Sequence, residues 1–211
     1  GRKTGKFFDA TDRLRLWALE PDLLLYGYWF WDWADSYERV ESVDPDQRLI
    51  TLARPWHTYG FSVGAPFYAV NALCEMDQPG EWYLDRAGLK VVLFPPSDPQ
   101  SASLELSLFA APMVTLDKTS WVEFRGLTWE LGSADGIQVR GGWHYQFAGC
   151  TVRQFAGNGL EIQGGREHGL RSCNIYSMGR GGTVLSGGNR KTLEPGNHFL
   201  ENCDIHDLSR I

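Results

Sequence analysis

The segment Gly159-Leu160-Glu161-Ile162-Gln163-Gly164-Gly165 is the clearest indication of the fold, because the chain repeats its pattern at a fixed interval. Gly136-Ile137-Gln138-Val139 begins 23 residues before it, and Gly182-Thr183-Val184-Leu185 begins 23 residues after it. Each copy is followed by two consecutive glycines, which tolerate the positive φ of a tight turn. A short strand closed by a glycine turn therefore recurs at this interval.

A second repeat runs in register with the first and precedes it in each copy. Its members are six residues long; the first two intervals equal that of the glycine repeat, and the last is longer because of an insertion. Apolar residues occupy the first, fourth and sixth positions of every member, and strand alternation assigns these positions to the interior. The three predicted core columns are Phe124, Phe147, Leu170 and Leu200; Leu127, Cys150, Cys173 and Cys203; and Trp129, Val152, Ile175 and Ile205.

A period of about 20 to 25 residues with several short strands per repeat indicates a β-solenoid. Each coil of such a fold buries its apolar face only against the coils above and below it. Leucine-rich repeats have a similar period, but this chain lacks their L-x-x-L-x-L pattern. The sequence therefore predicts an all-β chain with a right-handed parallel β-helix, preceded by an N-terminal antiparallel β subdomain.

Residues 1–118 lack the repeat but contain strand-like runs separated by turn residues. Two hairpins are predicted, one from residues 37–52 and one from residues 81–94. Residues 67–76 have helix-compatible spacing and are the one predicted short helix. The chain therefore divides into an aromatic-rich antiparallel β subdomain over residues 1–118 and parallel β-helix coils over residues 119–211.

The composition favours a folded chain and disfavours one class of partner. Apolar residues make up 43% and charged residues 22% of the 211 residues, as in core-forming proteins. The formal net charge is -6, and the chain has no cluster of Lys and Arg that would reward contact with phosphates. Neither a nucleic-acid partner nor a membrane span is predicted, since no apolar run is long enough to cross a bilayer.

The four cysteines are Cys74, Cys150, Cys173 and Cys203, and no two of them form a CxxC pair. A zinc site or a thioredoxin-like motif is therefore not predicted. The last three share one core column, where a buried thiol packs as a small hydrophobe. A disulfide between stacked neighbours is the alternative in an oxidising compartment.

Three strings resemble a known family. They are Gly27-Tyr28-Trp29-Phe30-Trp31-Asp32-Trp33-Ala34-Asp35, Asp77-Gln78-Pro79-Gly80-Glu81-Trp82-Tyr83-Leu84-Asp85-Arg86 and Gly187-Gly188-Asn189-Arg190-Lys191-Thr192-Leu193. The family comprises large bacterial right-handed parallel β-helix proteins of the pectate-lyase-like kind. In these proteins an aromatic-rich antiparallel β subdomain interrupts the β-helix.

The resemblance implies a secreted or periplasmic glycoside hydrolase that acts on a plant or algal polysaccharide. It also implies further coils before the aromatic subdomain and beyond Ile211, where such proteins carry an Asp-rich catalytic stretch. The chain opens on Gly1 without a leader and stops within a repeat. We therefore expect an internal fragment that is inactive alone and whose partners include flanking β-helix coils.

Four residues are candidates for acid–base chemistry. Asp204, His206 and Asp207 form the densest titratable set in the coils, and Glu194 lies in the seven-residue insertion that lengthens the last repeat. Glycoside hydrolysis needs two carboxyl groups around the scissile bond. The structural alternatives are that Asp204 and His206 are outward strand residues and that Asp207 begins a turn, where Asp is favoured.

Five residues are candidates for contact with a sugar. Arg190 and Lys191 lie in the inserted loop, and Arg can bind the carboxylate of an acidic sugar in a bidentate manner. Trp29, Trp31 and Trp33 would share one face if their segment were an extended strand. Flat sugar faces stack on indole rings, but indoles are also ordinary core material.

Two other functions stay open at this stage. A calcium-dependent polysaccharide lyase would need clustered carboxylates for an oxygen-rich cation site. The sequence offers no convincing cluster, so no cofactor and no metal site is predicted, and calcium enters only with the lyase alternative. A non-catalytic adhesin would bind glycans without turnover. The fold alone does not choose among these functions.

Overall fold

The computed structural model describes residues 4–210, so the chain ends at Gly1 and Ile211 lie outside the described part. Almost all of the regular structure is β, which confirms the predicted all-β class. The chain divides into two compact units, Gly1–Ser103 and Leu104–Ile211. Within residues 4–210, no helix has the length and apolar character needed to cross a membrane.

The first unit is antiparallel. Its strands are β1 Lys6–Phe8, β2 Leu24–Gly27, β3 Ser36–Asp44, β4 Leu49–Leu52, β5 Phe67–Val70, β6 Trp82–Asp85 and β7 Lys90–Leu93. Five of them form a sheet in the order β1-β4-β3-β2-β5, and β6 and β7 pair separately. The helical elements are α1 Leu14–Trp17 and a 3-10 turn at Leu73–Glu75.

The structure confirms both predicted hairpins and corrects one prediction in this unit. β3 pairs with β4, and β6 pairs with β7, each in the antiparallel sense. The helix predicted at residues 67–76 is wrong, because β5 pairs with β2 over its whole length. Pairing with a neighbouring strand overrides the local helical spacing, as tertiary context commonly does.

Aromatic packing holds the first unit together. Trp29 is 2% exposed and lies within 6.0 Å of the rings of Phe7, Phe61 and Phe67, measured between centroids. Its indole Nε1 donates a hydrogen bond to the carbonyl oxygen of Ser36 at 3.0 Å, which satisfies the buried polar atom. Trp29 is therefore a core residue.

The second unit contains a right-handed parallel β-solenoid of about three turns. Its strands are β8 Val114–Asp117, β9 Glu123–Arg125, β10 Thr128–Gly132, β11 Ile137–Arg140, β12 Gln146–Ala148, β13 Thr151–Phe155, β14 Leu160–Gln163, β15 Gly169–Arg171, β16 Asn174–Tyr176, β17 Thr183–Ser186, β18 Phe199–Glu201 and β19 Asp204–His206. They form three parallel four-stranded sheets, in the orders β10-β13-β16-β19, β17-β14-β11-β8 and β18-β15-β12-β9. The solenoid is therefore three-sided, as predicted.

The register of the three sheets follows the sequence repeat. Phe124 lies opposite Phe147, and Phe147 lies opposite Leu170. The last step joins Leu170 to Leu200 despite the insertion between them, because the inserted residues leave the coil and the strands keep their pairing. The predicted core columns are thus aligned as the spacing required.

The columns are buried in the inner coils and partly open at the end coils. Phe147, Cys150, Val152, Leu170, Cys173 and Ile175 are buried. Leu127, the first residue of its column, and Leu200, the last residue of another, are exposed, since each has a neighbouring coil on one side only. The Sγ atoms of Cys150 and Cys173 are free thiols that contact backbone carbonyl oxygens. Burial raises the pKa of the Cys173 thiol to about 11.

Three corners of each coil are made by residues in the left-handed region. One corner column is Trp121, His144, Glu167 and Asn197; another is Gly126, Gly149, Ser172 and Asn202; the third is Leu131, Gln154, Ser177 and Asp207. Within each corner column, the first two residue spacings are equal and the last is longer, as in the core columns. Asp207 is thus a corner residue, which agrees with the turn role considered for it.

The first solenoid strand, β8, begins at Val114, before residue 119, where the repeat was expected to start. β8 pairs with β11 in the parallel sense, with Val114 opposite Ile137 and Leu116 opposite Val139. Its sequence signal is weak for a simple reason. Met113 stands where later copies have glycine, and Lys118-Thr119 stands where they have the glycine pair.

A stack of polar rings runs through one corner of the solenoid interior. The ring of His168 lies 4.6 Å from that of Tyr145 and 5.0 Å from that of His198, between centroids. Nδ1 of His168 accepts a hydrogen bond from the Tyr145 amide at 3.2 Å, and Nε2 donates to the carbonyl oxygen of Gly141 at 3.1 Å. Burial lowers the pKa of His168 to about 4. Both ring nitrogens of His168 are engaged inside the solenoid, so its role is structural.

Candidate functional site

A polar ladder lies on the outer face of sheet β10-β13-β16-β19. It consists of Glu130, Arg153, Tyr176 and His206, which occupy directly opposed positions on the four strands. Each of them follows a core residue by one position, and strand alternation therefore turns it outward. With strands about 4.8 Å apart, the ladder runs along the solenoid axis for about 14 Å.

Neighbouring members of the ladder contact one another. Nε of Arg153 donates to Oε2 of Glu130 at 2.6 Å, and its Nη1 donates to the hydroxyl of Tyr176 at 3.0 Å. The ring of Tyr176 stacks on that of His206, with centroids 5.1 Å apart and planes 3° from parallel. The hydrogen bonds to Tyr176 and Glu130 raise the pKa of Arg153, which stays a cation. The ladder is one connected polar surface.

Three predicted acid–base candidates meet at the last step of the ladder. Nδ1 of His206 lies 3.0 Å from Oδ2 of Asp207, and Nε2 lies 3.9 Å from Oδ2 of Asp204. One imidazole therefore separates two carboxylates. All three side chains are solvent-accessible.

The structure places Glu194 away from that cluster. It lies in the inserted loop, where its Oε1 is 3.8 Å from Nη1 of Arg166, on the turn that follows the glycine pair of the preceding coil. Arg190 and Lys191 lie at the exposed tip of the same loop. The three loop candidates thus belong to a different surface from Asp204, His206 and Asp207.

The tryptophans of residues 29–33 do not form one platform. The segment is not a strand, since β2 ends at Gly27. Trp29 is buried in the first unit, whereas Trp31 is 46% and Trp33 is 64% exposed. The expectation of a shared face is wrong, because the chain turns at residues 30–33. Trp33 instead packs edge-on against Tyr59, with ring centroids 5.4 Å apart.

Sequence reasoning missed Glu130, Arg153 and Tyr176. The signal was present, because the three residues and His206 follow one another at the same intervals as the members of the core columns. Because the four residues differ in type, the column does not appear as a repeat in the sequence. Among residues 4–210, no group of three or more His, Cys, Asp or Glu side chains is arranged to hold a metal ion.

Comparison with known proteins supports the fold of the second unit. Residues 113–209 match the model of the family described as right handed beta helix region. No curated protein and no solved structure gives a significant match to the chain. The chain is therefore similar to right-handed β-helix proteins over its solenoid, a fold that is compatible with carbohydrate-active proteins.

Proposed function

We propose that the chain is a segment of a secreted glycoside hydrolase that binds a polysaccharide along the polar ladder. The observation that carries the proposal is the cluster of Asp204, His206 and Asp207 at one end of the ladder. Acid–base chemistry at a glycosidic bond requires two carboxyl groups, and Asp204 and Asp207 supply two at this end of the ladder.

The ladder supplies groups that suit a sugar chain. Arg153 and Tyr176 offer donors, Glu130 offers acceptors, and the row follows the solenoid axis, so that successive sugar units would meet successive strands. Asp204 and Asp207 are the groups that would serve as acid and base, with His206 orienting Asp207 through a hydrogen bond of 3.0 Å. His206 is therefore a positioning residue in this proposal.

The test is an assay of the full-length parent protein, which includes the expected flanking coils, on a panel of plant and algal polysaccharides, with and without a calcium chelator. Chelator-insensitive release of reducing ends without unsaturated products supports a hydrolase. Asp204→Asn and Asp207→Asn should each lower this activity by about 10²-fold or more, the contribution of a general acid or base. Asn tolerates the left-handed corner at residue 207, so that variant keeps its backbone.

Asp117→Asn is the matched control, because Asp117 is an exposed carboxylate on another sheet of the same solenoid. Chelator-sensitive formation of products that absorb in the ultraviolet would identify the protein as a lyase instead of a hydrolase. Binding that depends on Arg153 and Tyr176 without any product would indicate a glycan-binding solenoid. Full activity in both asparagine variants would contradict the assigned roles.

A further inference from the structure

A second surface of the solenoid has the features of a small binding site. It is a depression of about 270 Å³ at the corner that follows sheet β17-β14-β11-β8, and we name it the corner depression. Its wall is made by three successive glycine turns and by the base of the inserted loop. The residues that line it are Gly142, Trp143, Gly165, Arg166, Gly188, Asn189, Glu194 and Pro195.

An aromatic ring and a compensated ion pair are its main features. Trp143 is 44% exposed, and the guanidinium carbon of Arg166 lies 5.7 Å from the centre of its ring. Nη1 of Arg166 also lies 3.8 Å from Oε1 of Glu194. The depression therefore offers one flat apolar face, one group of donors and one group of acceptors, with no net charge between the two ionic side chains.

The inserted loop holds Glu194 in a defined place. Backbone hydrogen bonds of 2.8 and 3.1 Å join Asn189 and Glu194 in both directions, and Oδ1 of Asn189 accepts a bond from the Lys191 amide at 3.0 Å. A Cβ added at Gly188 would clash with the carbonyl oxygen of Glu194, so the glycine permits this close approach. The backbone of Glu194 is thus fixed beside the depression, and only its side chain has to be ordered on binding.

We propose that the corner depression binds a single neutral pyranose residue of a glycan. The sugar would take the place of the Arg166 guanidinium over the Trp143 ring and lay its apolar face there. It would donate hydroxyl hydrogen bonds to Glu194 and accept them from Arg166. The proposal uses no residue of the polar ladder. It stands on its own and does not depend on the proposed hydrolase activity.

The charges and the volume of the corner depression favour a neutral pyranose over an acidic sugar or a peptide. The positive charge of Arg166 is already met by Glu194, so an acidic sugar would have to displace that contact and would face the carboxylate. An extended peptide needs a free strand edge or a long groove. The small volume of the depression suits one ring rather than a peptide chain.

The test is a titration of ¹⁵N-indole-labelled protein with glucose, galactose, mannose and xylose, with glucuronate as the acidic comparator. At least one neutral sugar should shift the Trp143 indole resonance saturably, and glucuronate should bind more weakly. Trp143→Ala, measured by isothermal titration calorimetry because the reporter indole is gone, should weaken the binding by at least about tenfold. Trp82→Ala, which removes an exposed indole from the first unit, should leave it unchanged.

Two further variants keep the test decisive if Trp143→Ala disturbs the fold. Trp143→Phe retains a ring and should retain part of the affinity, whereas Glu194→Gln should weaken binding of neutral sugars and improve that of glucuronate. The absence of a saturable shift with all four neutral sugars would overturn the proposal. So would unchanged affinity in both Trp143→Ala and Glu194→Gln.

Discussion

The two units differ in how their strands are paired into sheets. In the solenoid, every inner strand pairs with strands one repeat earlier and one repeat later, so one interval, lengthened once by the insertion, describes the registers. In the first unit, β2 pairs with β3 after a short loop and with β5 across about forty residues, so no interval describes the sheet. A periodic core can be read from a sequence, whereas an aperiodic one is decided by which strands fit together.

The largest expected effect is the loss of a ring from a periodic column. Phe147→Ala should lower the free energy of unfolding by about 3–5 kcal/mol, because the ring is buried and stacked at 5.3 Å on Phe124. Phe8→Ala in the first unit should change it by less than about 0.5 kcal/mol, since Phe8 is 76% exposed. Urea unfolding followed by circular dichroism measures both, and equal losses would contradict the comparison.

A second comparison uses one backbone conformation in two surroundings. Gly142 and Gly64 have φ of 72° and 76°, but a Cβ at Gly142 would clash with the Thr119 carbonyl oxygen, and one at Gly64 would meet nothing within 4 Å. Gly64→Ala should cost only the left-handed conformation, about 1–2 kcal/mol. Gly142→Ala adds a clash with the preceding coil and should cost about 2–4 kcal/mol in urea unfolding. Equal costs would show that adjacent coils do not constrain each other at this corner.

The polar stack in the solenoid predicts a dependence of stability on pH. Burial lowers the pKa of His168 in the folded state to about 4, so between its ordinary pKa of 6.5 and pH 4 the unfolded chain binds the proton first. The free energy of unfolding should therefore fall by about 2–3 kcal/mol as the pH drops from 7 to 4. His168→Gln should flatten this part of the profile in thermal unfolding, and an identical profile in the variant would refute the assignment.

The smallest effect on stability is expected on the outer face of the solenoid. Arg153→Gln should change the free energy of unfolding by less than about 1 kcal/mol, because its ion pair with Glu130 is partly exposed and screened by water. If the polar ladder binds a polysaccharide, the same variant should clearly weaken binding in affinity electrophoresis. A large loss of stability would instead make the ladder a structural feature.

Most of the solenoid was predictable because its signals are local and repeated. The spacing of Phe124, Phe147, Leu170 and Leu200 gave the register, and the glycine pairs gave the turns. β8 was harder to find because its flanking turn lacks glycine. In the first unit, the sequence of residues 67–70 suited a helix, and the pairing of β5 with β2 decided otherwise.

The candidate site was only partly predictable for a related reason. Asp204, His206 and Asp207 are close in sequence, so their proximity could be expected, and their relation to Tyr176 and Arg153 followed from the stacking of coils. Neither sequence proximity nor the stacking of coils predicts which side chains an inserted loop will contact. The contact of Arg166 with Glu194 depends on how the insertion folds back onto the preceding coil.

The all-β class, the parallel coils and the columns that fill them follow from the sequence alone, because periodic burial leaves a periodic pattern. The burial of individual tryptophans and the contacts of the inserted loop follow only from the three-dimensional fold. It buried Trp29 and left Trp33 exposed, put His206 between two carboxylates, and brought the inserted loop to Trp143. The physical reason is that burial constrains many residues in the same way, whereas a surface contact depends on the path of one particular chain segment.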